Sequence, residues 1–330
     1  MLHPEISRHL FHRYGGMRTV RWLRRKGATI LMYHKFPADR SSLESQCEYL
    51  RKHYRVISLA RLLELTRNGD PLPSNCVVIT VDDGHNSFYH HAYPVFAKFA
   101  FPVVVYLTTG PIDDRGWLWF DRVAHAFIRS RLTTAELPAL PGSAQNGQGT
   151  PHPVPLRDEY RRSTLANEFM AFMKTIPSKE VARQLDALEV ALRVTTPDQA
   201  PAQWASLSWE QVRLMAKDQV EFGGHTVSHP ILARLGDDTL VHAEIANSKA
   251  RIEAELDKPI LHFAYPNGQP EDIPPSAIEA VRAVGYRTAT STIVGQIFPG
   301  DDAYMLRRIP ADPVLPAYEF RQHVAAFRTQ

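Results

Sequence analysis

Apolar residues in this chain fall into short unbroken runs separated by amphipathic stretches, the pattern of a parallel sheet covered by helices. The first run is Ala28–Tyr33 (ATILMY). Leu43–Tyr54 reads as a helix, Val56–Leu59 as a short extended piece and Leu59–Arg67 as a second helix, stopped by Asn68-Gly69-Asp70-Pro71. Val77–Val81 (VVITV) is almost wholly β-branched, which predicts a strand buried on both faces. A helix over His90–Phe99 leads to a third run, Val103–Leu107 (VVVYL). Strand, helix and strand at this spacing make a βαβ unit.

The pattern changes between Pro111 and about Pro201. An aromatic cluster (Trp117, Trp119, Phe120) opens the region, and a Pro/Gly/Ser/Gln stretch, Pro138–Pro155, reads as loop. Charged helical segments follow at Leu165–Ile176 and Lys179–Leu192. The region, about 111–205, is expected to be a helical insertion in one barrel and not an independent core. Alternation resumes at Ser208-Trp209-Glu210-Gln211, a capping box. A strand at Val220–Gly223, a helix at Asp238–Glu255, a strand at Ile260–Ala264, a helix at Ile273–Val284 ending at Gly285, and a strand at Tyr286–Ala289 complete it. The fold class is therefore α/β, with a barrel over 28–330.

Composition narrows the function classes. With 330 residues and 44% apolar content, the chain can bury a core without disulfides or a structural metal, so a bound metal would be catalytic. A net charge of +3 makes no case for a nucleic-acid partner. The charge is uneven, however: in the N-terminal segment 1–27, Arg8, Arg13, Arg18, Arg21, Arg24, Arg25 and Lys26 stand against Glu5 alone. This is either a helix resting on an anionic membrane or lipid-linked substrate, or a solvated basic helix at the domain edge. Gly15 and Gly16, which break its apolar face, favour the second. Cys47 and Cys76 show no metal or redox spacing, and Cys76 suits a buried free thiol. No apolar signal-peptide core follows Met1 and no run approaches a membrane span. The expected location is cytoplasmic, with any membrane contact peripheral.

Three segments close apolar strands, where parallel α/β folds build their sites: Thr80-Val81-Asp82-Asp83-Gly84, Gly224-His225-Thr226-Val227-Ser228-His229-Pro230 and Phe263-Ala264-Tyr265-Pro266-Asn267-Gly268. Adjacent carboxylates at the end of a buried strand are costly unless neutralised, and the turn at Gly84 would let both reach one pocket. The i, i+4 spacing of His225 and His229 puts two imidazoles on one side of a helical turn, suited to a divalent ion. Gly223 and Gly224 allow a sharp turn and close backbone approach. Alone, the first segment reads rather as a helix cap beside an exposed carboxylate, and the second as a pair of buried structural histidines.

Together, in this order, they resemble the motifs of the polysaccharide deacetylase family, the carbohydrate esterases with a NodB homology domain: T-F-D-D-G, H-[ST]-x-x-H and F-R-P-P-Y-G. The resemblance runs from about Ala28 to Pro313. It implies a distorted (β/α) barrel of the NodB type and a metal-dependent hydrolase removing N-acetyl groups from an amino-sugar saccharide, in exopolysaccharide or cell-surface glycan biosynthesis. It further implies that Asp82 is the general base, that Asp83, His225 and His229 hold one divalent metal, and that the Asn267 backbone N–H meets the oxyanion. Zinc is the expected ion, and cobalt, nickel and manganese suit the same donors.

Two departures stand out. Ala264 replaces the motif arginine, so Arg307 or Arg308 is the candidate to orient Asp82. No C-terminal L-x-H histidine is found, and His323 lacks the apolar strand that motif needs. Leu31-Met32-Tyr33-His34 instead resembles the Y-H motif of the branch containing poly-N-acetylglucosamine deacetylases, which implies His34 as the acid. Tyr33, Tyr265, Pro266, Trp117 and Trp119 are candidate substrate contacts. The substrate is expected to be an acetylated amino sugar, lipid- or nucleotide-linked. Competing readings are a deformylase or deacetylase of a lipid-linked amino sugar or other small amide, and a catalytically silent carbohydrate-binding homologue.

Overall fold

The computed structural model describes residues 16–138 and 153–327. Residues 1–15 of the basic segment and 139–152 of the Pro138–Pro155 stretch lie outside the described residues. In chain order the first half contains α1 (Gly16–Arg24), β1 (Ala28–Tyr33), α2 (Ser41–His53), β2 (Arg55–Val56), α3 (Leu59–Asn68), β3 (Cys76–Val81), α4 (Tyr93–Lys98), β4 (Val103–Leu107) and α5 (Thr109–Asp114). An excursion follows: α6 (Trp119–Arg129), β5 (Thr134–Ala135), β6 (Val154–Pro155), α7 (Glu159–Met173) and α8 (Ser178–Leu192). The chain then returns through α9 (Trp209–Met215), β7 (Val220–Gly224), α10 (Asp238–Leu256), β8 (His262–Ala264), α11 (Pro275–Ala283), β9 (Thr288–Val294), β10 (Leu306–Pro310) and α12 (Ala317–Val324).

Seven parallel strands close into a barrel in the order β1-β10-β9-β8-β7-β4-β3 and back to β1. β2 adds beside the first two residues of β3. Strand alternation sorts the apolar runs into two layers. Leu31, Tyr33, Val77, Ile79, Val81, Val103 and Val105 face outward against helix residues such as Leu43, Leu50, Phe96 and Ile245. Ile30, Val78, Val104, Tyr106 and Ala264 fill the interior, with Leu59 and Leu62 of α3 at the Ala28–Cys76 level. Burial on both faces is why these strands read as continuous apolar runs.

One expectation needs correcting. The excursion has an apolar cluster of its own, built from residues such as Phe127, Leu165, Phe169, Leu185, Leu188 and Leu192. Its apolar positions are scattered among charged ones in each helix and form a core only when three helices converge. One strand, β10, is not announced by the apolar pattern at all. Its two arginines and terminal proline resemble a surface segment, yet Arg308 is fully buried inside the barrel.

Candidate active site

The alternation that sends Val78 and Thr80 inward carries Asp82 inward as well. The backbone then turns, with Asp83 and Gly84 both left-handed (φ 71° and 73°). A Cβ at Gly84 would come within 2.9 Å of Leu107 Cδ2, so glycine suits both the angle and the space. The two carboxylates thus reach one buried pocket. Arg308 donates from Nη1 and Nη2 to the two oxygens of Asp82 at 2.6 and 2.7 Å, and from Nε to the Ser291 carbonyl at 2.8 Å. Burial pushes the Asp82 carboxyl up, but the Arg308 charge, with His225 and His34, holds it below the ordinary carboxylate range. Arg307 points elsewhere: as its neighbour on a strand it faces the opposite side, and it pairs with Asp301 at 2.6 Å.

His225 and His229 meet Asp83 as anticipated in position but not in backbone form. No helical turn carries them. β7 ends at Gly224, and the loop reverses through two left-handed residues, Thr226 (φ 69°) and His229 (φ 58°). Gly224 serves close approach: a Cβ there would meet the Tyr286 hydroxyl at 2.0 Å. Glu244 of α10 fastens the loop by accepting from the Val227 and Ser228 N–H groups at 2.7 and 2.9 Å.

The donor set fits a cation. Nε2 of His225 and Nε2 of His229 lie 3.5 and 3.3 Å from Oδ1 of Asp83. All three residues are buried, and their ligand atoms lie within 4.8 Å of one another. Two donors sharing a tetrahedral metal at ~2.1 Å stand about 3.4 Å apart. Nδ1 of His225 is 2.7 Å from the Ala264 carbonyl, which can only accept, so Nδ1 carries the proton and Nε2 turns a lone pair toward Asp83. Burial pushes Asp83 up, but its contacts to His225, His229 and His85 draw it well below the ordinary range.

The sequence reading missed a chain of polar groups behind Asp83. His85 is buried, with Nε2 3.6 Å from Oδ2 of Asp83 and 3.6 Å from Oδ2 of Asp121. Asp121, also buried, accepts from the Lys35 ammonium, which lies 4.6 Å from the Trp204 ring centroid. Burial raises the Asp121 carboxyl above its usual value despite His85 and Lys35. The excursion sets this geometry: residues after α8 return to the loop beyond Asp83, with Asn86 N–H donating to Ala205 and Leu207 N–H to Gly84. The sequence signals were slight: a histidine beyond the Asp-Asp-Gly turn, a lysine beyond His34 and an acid beside an aromatic cluster.

His34 reaches the pocket mouth, Nε2 3.9 Å from Oδ2 of Asp82 and the side chain 47% exposed. Asn267 is left-handed (φ 59°), and its side chain is taken by Asp272. Among the described residues its backbone N–H has no acceptor. Of the proposed aromatic contacts, Tyr33 is core, its hydroxyl donating to Gln46 at 2.9 Å, and Tyr265 is core, donating to the Tyr304 carbonyl at 3.2 Å. Tyr33 ends β1 and Tyr265 directly follows β8, both in the outward register that sends the ring to the helices. Pro266 is buried. Trp117 donates to the Pro197 carbonyl and packs on His125 and Trp204. Trp119 lines a cavity of about 420 Å³ beside His229, and Phe120 meets the His229 ring edge-on at 5.2 Å. His323 lies in α12, its Nδ1 2.9 Å from the Pro310 carbonyl oxygen.

The family model described as "Polysaccharide deacetylase" matches residues 178–289. Poly-beta-1,6-N-acetyl-D-glucosamine N-deacetylase of Escherichia coli K12 is 42% identical over 65 residues, 19% of this chain and 10% of that protein. The enzyme of the same name from Staphylococcus aureus MSSA476 is 24% identical over 100 residues, 30% of this chain and 34% of that protein. The chain thus matches a tenth to a third of these relatives' lengths. In fold it is similar to the Streptococcus pyogenes deacetylase PplD (TM-score 0.58, 17% identity, 91% of this chain and 99% of that one). It is likewise similar to IcaB from Ammonifex degensii (TM-score 0.57, 18% identity, 91% and 97%). These matches, together with Asp82-Asp83, His225 and His229 in one pocket, make the chain similar to the polysaccharide deacetylase family, whose model matches about a third of it.

Proposed function

We propose that this chain hydrolyses the N-acetyl amide of an amino-sugar saccharide, in exopolysaccharide or cell-surface glycan synthesis, with a divalent metal, zinc foremost, as cofactor. The observation that carries the reading is a buried carboxylate, Asp82, kept ionised by Arg308 beside an Asp-His-His donor set. Poly-N-acetylglucosamine is the polymer favoured by the two similar deacetylases.

An amide resists hydrolysis because its carbonyl is a weak electrophile and its nitrogen leaves poorly unprotonated. A metal held by Asp83, His225 and His229 would polarise the carbonyl and acidify water there. Asp82 accepts the proton of the attacking water, its lone-pair directions fixed by the Arg308 fork. The Asn267 N–H donates to the developing oxyanion. His34, across the same opening from Asp82, protonates the leaving amine.

The test is acetate release from N-acetylglucosamine oligomers by the metal-loaded wild type and by Asp82→Asn. The expected result is release by wild type and a loss of ~10²-fold or more in the variant. Equal, near-zero release from both, with metal bound, would favour a silent carbohydrate binder. Formate release from N-formyl sugars, without acetate release, would transfer the site to a deformylase.

A further inference from the structure

Where α1, α2 and α12 meet, a cleft of about 1120 Å³ is lined by Arg18, Arg21, Lys52 and Arg321, with Glu48 its one carboxylate. Among the described residues none of these four cations forms an ion pair. The charges are crowded. The Arg21 and Arg321 guanidinium carbons lie 5.9 and 5.2 Å from the centroid of the same ring, Tyr49, and Arg21 donates to the Tyr49 hydroxyl at 2.8 Å. His53, also in the lining, is held below its ordinary range by burial and then by Arg21, Lys52, Arg321 and Arg18. Like charges gathered without partners repel, and an anion in the cleft relieves that repulsion.

The outer face of α1 adds an independent feature. Its inner residues Met17 and Val20 pack on Ala325. On the other side Trp22 (59% exposed) and Leu23 (65% exposed) stand in solvent, and Arg25 lies 4.5 Å from the Trp22 ring centroid. From Gly16 to Lys26 there is no acidic residue. Arg18, one helical turn before Trp22, belongs to the cleft, so cleft and apolar knobs share one surface. A tryptophan and a leucine presented among arginines fit the headgroup layer of a bilayer, where apolar side chains enter and cations meet lipid phosphates. A nucleic acid would want free aromatic faces for stacking, whereas two guanidinium groups already crowd Tyr49.

We propose that this face docks on an anionic membrane surface, with Trp22 and Leu23 inserted at headgroup level and the cleft holding lipid phosphate groups. The protein is thereby held peripherally, beside membrane-attached saccharide.

The experiment is co-sedimentation of the full chain with phosphatidylcholine vesicles and with vesicles also containing phosphatidylglycerol. Wild type is expected to pellet with the anionic vesicles only, and to be released by salt. Arg18→Ser with Arg321→Ser is expected to weaken binding about five-fold per cation removed. Trp22→Ser with Leu23→Ser, at exposed positions where the fold is not at stake, is expected to weaken vesicle binding without changing acetate release from a soluble oligomer. Absence of any preference for anionic vesicles overturns the proposal. So does vesicle binding indifferent to Trp22 and Leu23 with equal retention of soluble diphosphate, which makes the cleft a site for free phosphate. Preferential capture of RNA overturns it as well. The salt and lipid dependence of the wild type decides the matter even if the arginine variants fail to fold.

Discussion

Replacing Arg308 by methionine tests the centre of the site more sharply than deleting a metal ligand. Methionine keeps much of the volume and removes every donor. Asp82, 2% exposed, then loses both charge-assisted bonds, and the Ser291 carbonyl loses its Nε–H donor. Stranding a buried charge by removing its partner costs ~3–5 kcal/mol, and the orphaned carbonyl adds ~1 kcal/mol. Against a total stability of ~5–15 kcal/mol this is readily measured by urea unfolding of the metal-free protein at neutral pH. The Asp82→Asn, Arg308→Met double variant no longer buries a charge, so its loss should fall short of the summed single losses by ~2 kcal/mol or more. The pH dependence carries the sign. Asp82 is held below its unfolded value, so it contributes stability above that value and loses it as pH falls through the folded pKa. Without Arg308 the carboxyl rises, that contribution disappears, and the acid limb of kcat/KM moves to higher pH. A stability loss under ~1 kcal/mol together with an unmoved acid limb would refute the assignment of Arg308 as the group that keeps Asp82 ionised.

Other outcomes follow from the same geometry. His34→Ala is expected to slow turnover ~10²–10⁴-fold with metal affinity intact, because the half-exposed imidazole bonds no ligand; unchanged turnover moves the acid role elsewhere. Asp121→Asn is expected to lower metal affinity ~10–100-fold in a competition assay with a chromophoric chelator, since Asp121 and Asp83 each stand 3.6 Å from the same nitrogen of His85. Its folded carboxyl pKa is raised, so its ionisation destabilises the fold as pH climbs from the unfolded value through the folded one. The asparagine variant should lose that dependence; an unaltered pH profile and metal affinity would remove Asp121 from the site. Burial pushes the Cys47 and Cys76 thiols up to about 12, so Ellman's reagent should label neither until the protein unfolds.

The strands were legible because burial on both faces leaves unbroken apolar runs, and this holds for β1, β3 and β4. The capping box at Ser208 and Gln211 was legible because it is local, and both of its hydrogen bonds form. What could not be read depends on contacts distant in sequence. Nothing local tells Arg308 from Arg307; strand alternation decides it, and β10 has too little apolar content to declare itself a strand. The burial of Tyr33 and Tyr265 was illegible for the same reason, since only the outward register of β1 and of the residue after β8 sends each ring to the helices. The spacing of His225 and His229 identified the pair, yet period alone could not say that two left-handed residues, not a helical turn, bring them round.

Barrel closure gives the two departures from the family's motifs a common physical account. β1 lies between β10 and β3, pairing Leu31 with both Ile309 and Ile79. An inward side chain on β10 therefore needs to cross one strand to reach the end of β3, and Arg308 does so, passing 5.8 Å from the Tyr106 ring centroid. Ala264 lies in that interior with Tyr106, a small residue on a strand that no longer supplies a guanidinium. The Ala264 backbone still serves, because its carbonyl fixes the His225 tautomer. His34 continues β1, the strand between those that carry Asp82 and Arg308, so a histidine just past its end faces Asp82 without a C-terminal motif. In a closed barrel every strand end borders the same pocket, and a functional group can move to another strand provided its side chain spans the distance. Sequence order is then a poor guide to role, whereas inward register and reach are good ones.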